Sequence, residues 1–220
     1  MITLHHLNNS RSQRILWLLE ELGVDYQLET YQRDGKTGLA PAQMKAIHPL
    51  GRAPVLTTET GALAESGAIV AYLVKYYGNG KFQPPGDRRL YQQYEFWLHF
   101  AEGSLMPPRV AGLVFDKAKD QVPLLLKPLA RKILDGISNA YYRPNFMQSI
   151  RYTENYLANH EWFAGTQPTG ADVQMLFPLE TLVATGNVSD FPAICAYVNK
   201  IHQRPAYVRA LAKGGHYDYA

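Results

Sequence analysis

Residues 48–73 read HPLGRAPVLTTETGALAESGAIVAYL, and the order of signals in that stretch decides the fold. APVLTT and ALAE flank the turn ETG, the pattern of a β-hairpin. SGAIVAYLVKYYG then changes to helical periodicity, with Ser66 in the place of an N-cap. Two features need a reason. Pro54 falls inside a strand run, where a proline forfeits a ladder hydrogen bond and belongs at an edge or bulge. Glu65 stands beside the helix start with no other charge on the first two turns.

The same alternation extends upstream. ITLHHL reads as a strand, and SQRILWLLEELG as a helix whose Ile15, Leu18, Leu19 and Leu22 share one face, with Gly23 placed to stop it. DYQLETYQ alternates as a second strand, and APAQMKAI is short and helical or irregular. The order β-α-β-α-β-β-α spans residues 1–78. A crossover helix joins parallel strands in its first half and a hairpin adds antiparallel ones in its second. The expected unit is an α/β domain with a mixed four-stranded sheet.

GNGKFQPPGDRR punctuates the chain with Gly, Pro and polar residues, and 79–88 is read as a linker. After it strand signals vanish. RLYQQYEFWLHFAEGSLMP, PLLLKPLARKILDGISNAYY, PNFMQSIRYTENYLANH, ADVQMLFPLETLVAT and FPAICAYVNKIHQR all carry helical periodicity, so 89–220 is expected to be all-helical. Thr169 and Asp172 have capping-box spacing and are assigned a folding role.

Composition narrows the function classes. Of 220 residues, 46% are hydrophobic and 19% charged, a globular profile. No run approaches a membrane span, and MITLHHLNNS lacks a signal-peptide pattern, so a cytoplasmic location without membrane association is expected. The net charge of +3 is spread along the chain, which argues against nucleic-acid binding. The single cysteine, Cys195, lies among apolar residues and can form neither an internal disulfide nor a redox pair. Any thiol chemistry therefore uses a borrowed thiol. No metal is needed.

SRSQRILWLLEEL, HPLGRAPVL, LAESGAIVAYL, PTGADV and RPAY occur in this order over nearly the whole chain. Together they resemble the cytosolic glutathione S-transferases, and most the bacterial and fungal branch that lacks a catalytic tyrosine. The resemblance implies a thioredoxin-like domain followed by a helical domain, glutathione as co-substrate, a small hydrophobic electrophile and a homodimer. It also implies a cis Ala53–Pro54 bond, which would present the Ala53 main chain to a peptide ligand as an added strand. Glu65 would then take the α-ammonium of the γ-glutamyl end, and Ser66 with the helix start its carboxylate. Arg52 is the candidate for the glycine carboxylate.

A free thiol with pKa ~8.5 is only about 3% ionised at pH 7, and the thiolate is the nucleophile. Lowering the pKa by ~2 units takes about 2.7 kcal/mol, which one charge-assisted hydrogen bond at a helix start can supply. The first tyrosine, Tyr26, follows the first helix and Cys195 lies in the wrong half, leaving NNSRS. Ser10, four residues before Arg14 as in the family's serine-using branches, is the first candidate; Asn9 and Ser12 are its substitutes. Ser10 and Gln13 also have capping-box spacing, so a purely capping role stays open. Phe100, Met106, Arg109 and Val110 are the candidates for the electrophile pocket. Glu102 and His99 are noted as groups that could reach a neighbouring subunit's glutathione site. Beside conjugation or peroxide reduction, a non-catalytic glutathione-binding role and a glutathione-dependent disulfide reductase share this pattern.

Overall fold

The computed structural model describes residues 1–186 and 188–220. Its first part is β1 (Ile2–Leu7), α1 (Ser12–Leu22), β2 (Tyr26–Tyr31), α2 (Met44–Ile47), β3 (Val55–Thr58), β4 (Gly61–Ala64) and α3 (Ser66–Tyr77). The strands form one sheet in the order β2-β1-β3-β4. β1 runs parallel to β2 (Leu4 opposite Leu28) and antiparallel to β3 (Leu4 opposite Leu56). β3 pairs antiparallel with β4, starting at Val55 opposite Ala64. This is the mixed thioredoxin-like sheet expected from the alternation.

β3 is an interior strand, so the proline has a different solution from an edge. Pro54 stands one residue before the first ladder pair and withholds no ladder hydrogen bond. The Ala53–Pro54 peptide is cis. Gly51 enters this turn with φ 56°, and a Cβ there would meet Lys45 Cγ at 2.6 Å. Only glycine fits.

Ser66 is not the N-cap. Glu65 holds that position with φ 70°, and Ser66 is the first helical residue. The shift by one residue turns the Ser66 hydroxyl inward, toward a buried partner described below.

α1 differs from a helix with one apolar stripe: every residue from Ser12 to Leu22 except Glu21 is buried. The sheet and α3 cover one side; α8 (Gly170–Thr185) and α10 (Pro205–Gly214) cover the rest. Gly23 ends it in the left-handed conformation, φ 69°, donating to Leu19 O. α1 thus joins the two halves, and one apolar cluster runs from Ile2 through Trp17 and Trp97 to Ala210.

Helices in the second half run through the breaks that the sequence suggests. α4 (Arg88–Phe100), capped by Asp87, continues through a π-helical turn (Ala101–Leu105) into α5 (Met106–Gln121). α6 (Lys127–Ile137) likewise continues through a π-turn (Ser138–Tyr142) into α7 (Arg143–Leu157). Pro107 and Pro108 read as a stop, but they occupy the first turn of α5, where the wider π geometry tolerates missing N–H groups. α8, α9 (Pro192–His202) and α10 complete the bundle. Thr169 and Asp172 do form a capping box. Asp172 is fully buried and accepts from Phe163 N, Thr169 N and the Tyr197 hydroxyl at 2.7–3.0 Å. The 79–88 stretch is tied in by buried Phe82, whose carbonyl accepts from Gly170 N.

Candidate functional site

Turn 50–54, the β4–α3 junction, α1 and the first π-turn converge on a cleft with a cavity of ≈200 Å³. Arg52, Ala53, Pro54, Glu65 and Ser66 all line it, so the residues chosen for the peptide ligand are brought together. Arg11, Leu50 and Glu102 complete the wall. Glu65 is exposed and Ser66 is buried. Gly67 completes the ESG motif for a steric reason: a Cβ there would lie 3.2 Å from Gln174 Nε2.

Beneath the cleft lies a buried cation. Arg14 has a side chain of 0% exposure. Its Nη2 donates to Ser66 Oγ and Glu102 Oε1, and its Nη1 to Gln174 O, each at 2.5 Å. Glu102 also accepts from Arg11 Nε through both oxygens at 2.9 Å. Burial pushes the Glu102 carboxyl up, but Arg14 and Arg11 outweigh it and hold the group below the usual carboxylate range. Burial lowers Arg14, offset chiefly by Glu102. The pairing matters because a guanidinium this deep is costly without an anion. The network is not closed: among the described residues Arg14 Nε, both amide atoms of Gln13 and Gln174 Oε1 have no partner.

Arg14 takes no role in the site from the sequence alone, and Glu102 is considered there only for a neighbouring subunit. Arg14 precedes Leu18 by four positions, so a charge sits flush with the apolar stripe of α1, and that is the available signal. Glu102 lines its own chain's cleft. It does so from the π-turn, a geometry often found at functional sites. His99 is exposed and pairs with Glu95 at 3.4 Å.

In the β1–α1 loop Arg11 lines the cleft, whereas the side chains of Asn9 and Ser10 are engaged elsewhere. The Ser10 hydroxyl donates to Leu7 O at 2.8 Å and lies 2.8 Å from Ser12 Oγ. Ser12 Oγ accepts from Leu7 N and meets His6 Nδ1 at 2.9 Å. Burial depresses His6 to about 4. Gln13 N donates to Ser10 O, not to its side chain, so a capping box is not formed at α1. Asn9 has φ 50° and grips the C-terminal segment: its Nδ2 donates to Asp218 Oδ2 at 2.6 Å and its Oδ1 accepts from Asp218 N at 2.9 Å.

The four electrophile-pocket candidates are not brought together. Phe100 stacks in the Phe96–Trp97–Tyr152 aromatic cluster. Met106 is buried with Phe177 and Tyr217. Arg109 donates to Thr181 O and Thr185 Oγ1 and lines a separate cavity of ≈480 Å³ between α5 and α7. Val110 is exposed. Helical periodicity places residues on a face but does not say which neighbour that face meets. The buried Phe177 ring packs against the two arginines, with the guanidinium carbons of Arg11 and Arg14 at 5.6 and 5.8 Å from its centroid. Among the described residues no group of three or more His, Cys, Asp or Glu could hold a metal, and no helix is long and apolar enough to cross a membrane.

Comparison with known proteins agrees with this geometry. Residues 1–75 match the family model "Glutathione S-transferase, N-terminal domain", and 140–205 match the "C-terminal domain" model. Glutathione S-transferase 3 of Schizosaccharomyces pombe is 40% identical over 180 residues, covering 81% of this chain and 73% of the relative. Glutathione S-transferase 1 of Saccharomyces cerevisiae is 33% identical over 223 residues, covering 97% and 95%. A glutathione S-transferase structure from Actinobacillus pleuropneumoniae superposes with TM-score 0.81 at 35% identity over 97% of this chain and 93% of its own.

Proposed function

Since the chain belongs to the glutathione S-transferase family, we propose that it seats glutathione with the γ-glutamyl end on Glu65 and Ser66 and conjugates the thiolate to small hydrophobic electrophiles. The activity is that of a glutathione S-transferase: binding of glutathione and its conjugation.

One observation carries the assignment of the binding residues, the Arg14–Ser66 hydrogen bond at the cleft floor. Because Arg14 donates to Ser66 Oγ, the oxygen acts as acceptor and its own proton is left to donate to a ligand carboxylate. The cation behind it favours the anion further. The free N–H groups of the first turn of α3 point the same way. An anion beside Glu65 and Glu102 is tolerated only if a positive charge accompanies it, and the α-ammonium of a γ-glutamyl group supplies that charge. The Ala53 main chain pairs with the cysteinyl portion, and exposed Arg52 takes the glycine carboxylate.

Ser10 is the proposed thiolate donor. Its proton now goes to Leu7 O, but Leu7 O also accepts from Ser12 Oγ at 3.1 Å. Turning the Ser10 hydroxyl to a sulfur therefore leaves no buried carbonyl without a partner, and the cost is one rotamer change. Ser10→Ala is expected to lower conjugation of an aryl halide by about tenfold or more with little change in glutathione affinity. Unchanged turnover moves the role to Asn9, Ser12 or the loop N–H groups. Titration calorimetry with glutathione tests the site itself, and no heat of binding would overturn it.

The same chain is proposed to act as a cytoplasmic homodimer. Tyr76, Tyr91, Phe96 and Tyr152 are 44–61% exposed on α3, α4 and α7, an aromatic surface suited to a partner. Light scattering gives the mass in solution, and a monomer would sink this part.

A further inference from the structure

Asn8 and Asn9, just before α1, have their main chain gripped by a side chain from beyond β2. Arg33 Nε donates to Asn8 O at 3.2 Å and Nη2 to Asn9 O at 2.9 Å, while Nη1 donates to Gly38 O at 3.0 Å. Arg33 N in turn donates to Asn8 Oδ1 at 2.8 Å. One guanidinium thus fixes two successive peptide planes and ties them to the next loop.

A trans peptide sets its N–H opposite its C=O. With the carbonyls of Asn8 and Asn9 turned to Arg33, the N–H groups of Asn9 and Ser10 face the other way. Among the described residues no acceptor meets the N–H of Asn9 or Arg11, while the Ser10 N–H closes the turn over residues 8–9. Asn9 holds the turn with φ 50°, a left-handed conformation to which asparagine is suited. The N–H groups of Asn9 and Arg11 then stand free on either side of Ser10 at the start of α1, with the Arg11 side chain on the cleft wall.

We infer that Arg33 is a positioning residue for thiolate formation: it turns the loop's donors toward the sulfur and sets a fixed positive charge behind them. The inference rests on the reading that glutathione's sulfur lies at the β1–α1 loop, and it concerns a residue outside that cleft's lining. The charged and titratable groups around the spot are few. Arg11 adds positive charge and is neutralised by Glu102. Asp218 on the C-terminal segment is negative and pairs with His216 at 2.7 Å. His6 lies buried behind Ser12, and Tyr219 faces Arg33 from the same segment. Arg33 is the cation here with no carboxylate partner among the described residues; its donors go to carbonyl oxygens, so its charge is not cancelled locally.

The test titrates the ultraviolet absorbance of the thiolate in the glutathione complex of the full chain, for wild type, Arg33→Gln and Arg33→Lys. Arg33→Gln is expected to raise the bound-thiol pKa by about one unit, lowering kcat/KM about tenfold at mildly acidic pH and little at alkaline pH. Glutathione affinity is expected to stay within about threefold, because the change falls on the ionised form. Arg33→Lys keeps the charge but loses the planar fork, and is expected to show less than half the shift. Should Arg33→Gln not fold, as judged by its melting curve, Arg33→Met carries the same expectation. A neutral variant whose bound thiol titrates as in wild type overturns the inference and leaves the glutathione site standing. So does a lysine variant shifted as far as the glutamine one. A wild-type complex that titrates like free glutathione overturns the underlying reading as well.

Discussion

Two fully buried charged groups in this protein make opposite use of their surroundings. Asp172, at the start of α8, accepts from two backbone N–H groups and the hydroxyls of Thr169 and Tyr197. Arg14, on α1, reaches Ser66, Glu102 and Gln174 O, yet leaves Nε without a partner and sits under an open cleft. A closed network holds a fold together, since buried polar groups are costly when unpaired. A network left open beside a cavity is what the proposed glutathione site calls for. That contrast separates the folding acid from the binding cation more clearly than burial, which is complete for both.

The comparison breaks in a definite order of effect. Asp172→Ala strands four buried donors, and is expected to cost about 3–5 kcal/mol of stability, a fall in Tm of roughly 10 °C. Scanning calorimetry reads it, and a loss below ~1 kcal/mol would dissolve the distinction. Arg14→Gln is expected to weaken glutathione binding about 30-fold while lowering Tm less than the Asp172 variant, because Arg11 still holds Glu102. Equal damage to Tm with unchanged affinity would make Arg14 a folding residue too.

His6 sharpens the comparison through pH. Its folded value of about 4 lies below the ~6.5 of an unfolded chain, so protons favour the unfolded state as pH falls. Stability from this group is present above ~pH 6.5 and lost progressively toward its folded value, about 2 kcal/mol between pH 7 and 5. Denaturant midpoints at both pH values measure it, and His6→Gln is expected to remove that part of the slope.

Much of the first half was legible because its signals are local. Alternation gave the strands, Gly23 the end of α1, and ESG with RAP a cluster of cleft residues only a few positions apart. The breaks in the second half misled for an equally local reason. The helical segment that ends at Pro107 stops too early, because the prolines sit in the first turn of a continuing helix after a π-turn, and α5 passes unnoticed. Pairings over long separations carry no local pattern at all. Arg14 meets Glu102 across 88 positions, and Asn9 meets Asp218 across 209. The placement of the Ser10 hydroxyl toward Leu7 O is equally invisible, since a serine before a helix has the same signature whichever way it turns.

The Asn9–Asp218 contact gives the molecule a temporal order. The loop proposed to meet the sulfur is translated 209 positions ahead of Asp218, yet its asparagine finds its partner only when residue 218 leaves the ribosome. A nascent chain can complete its sheet long before that moment, and until then it carries a loop short of its final restraint. Maturation of this corner therefore waits on the segment around residue 218 rather than on the folding of the half that encodes it.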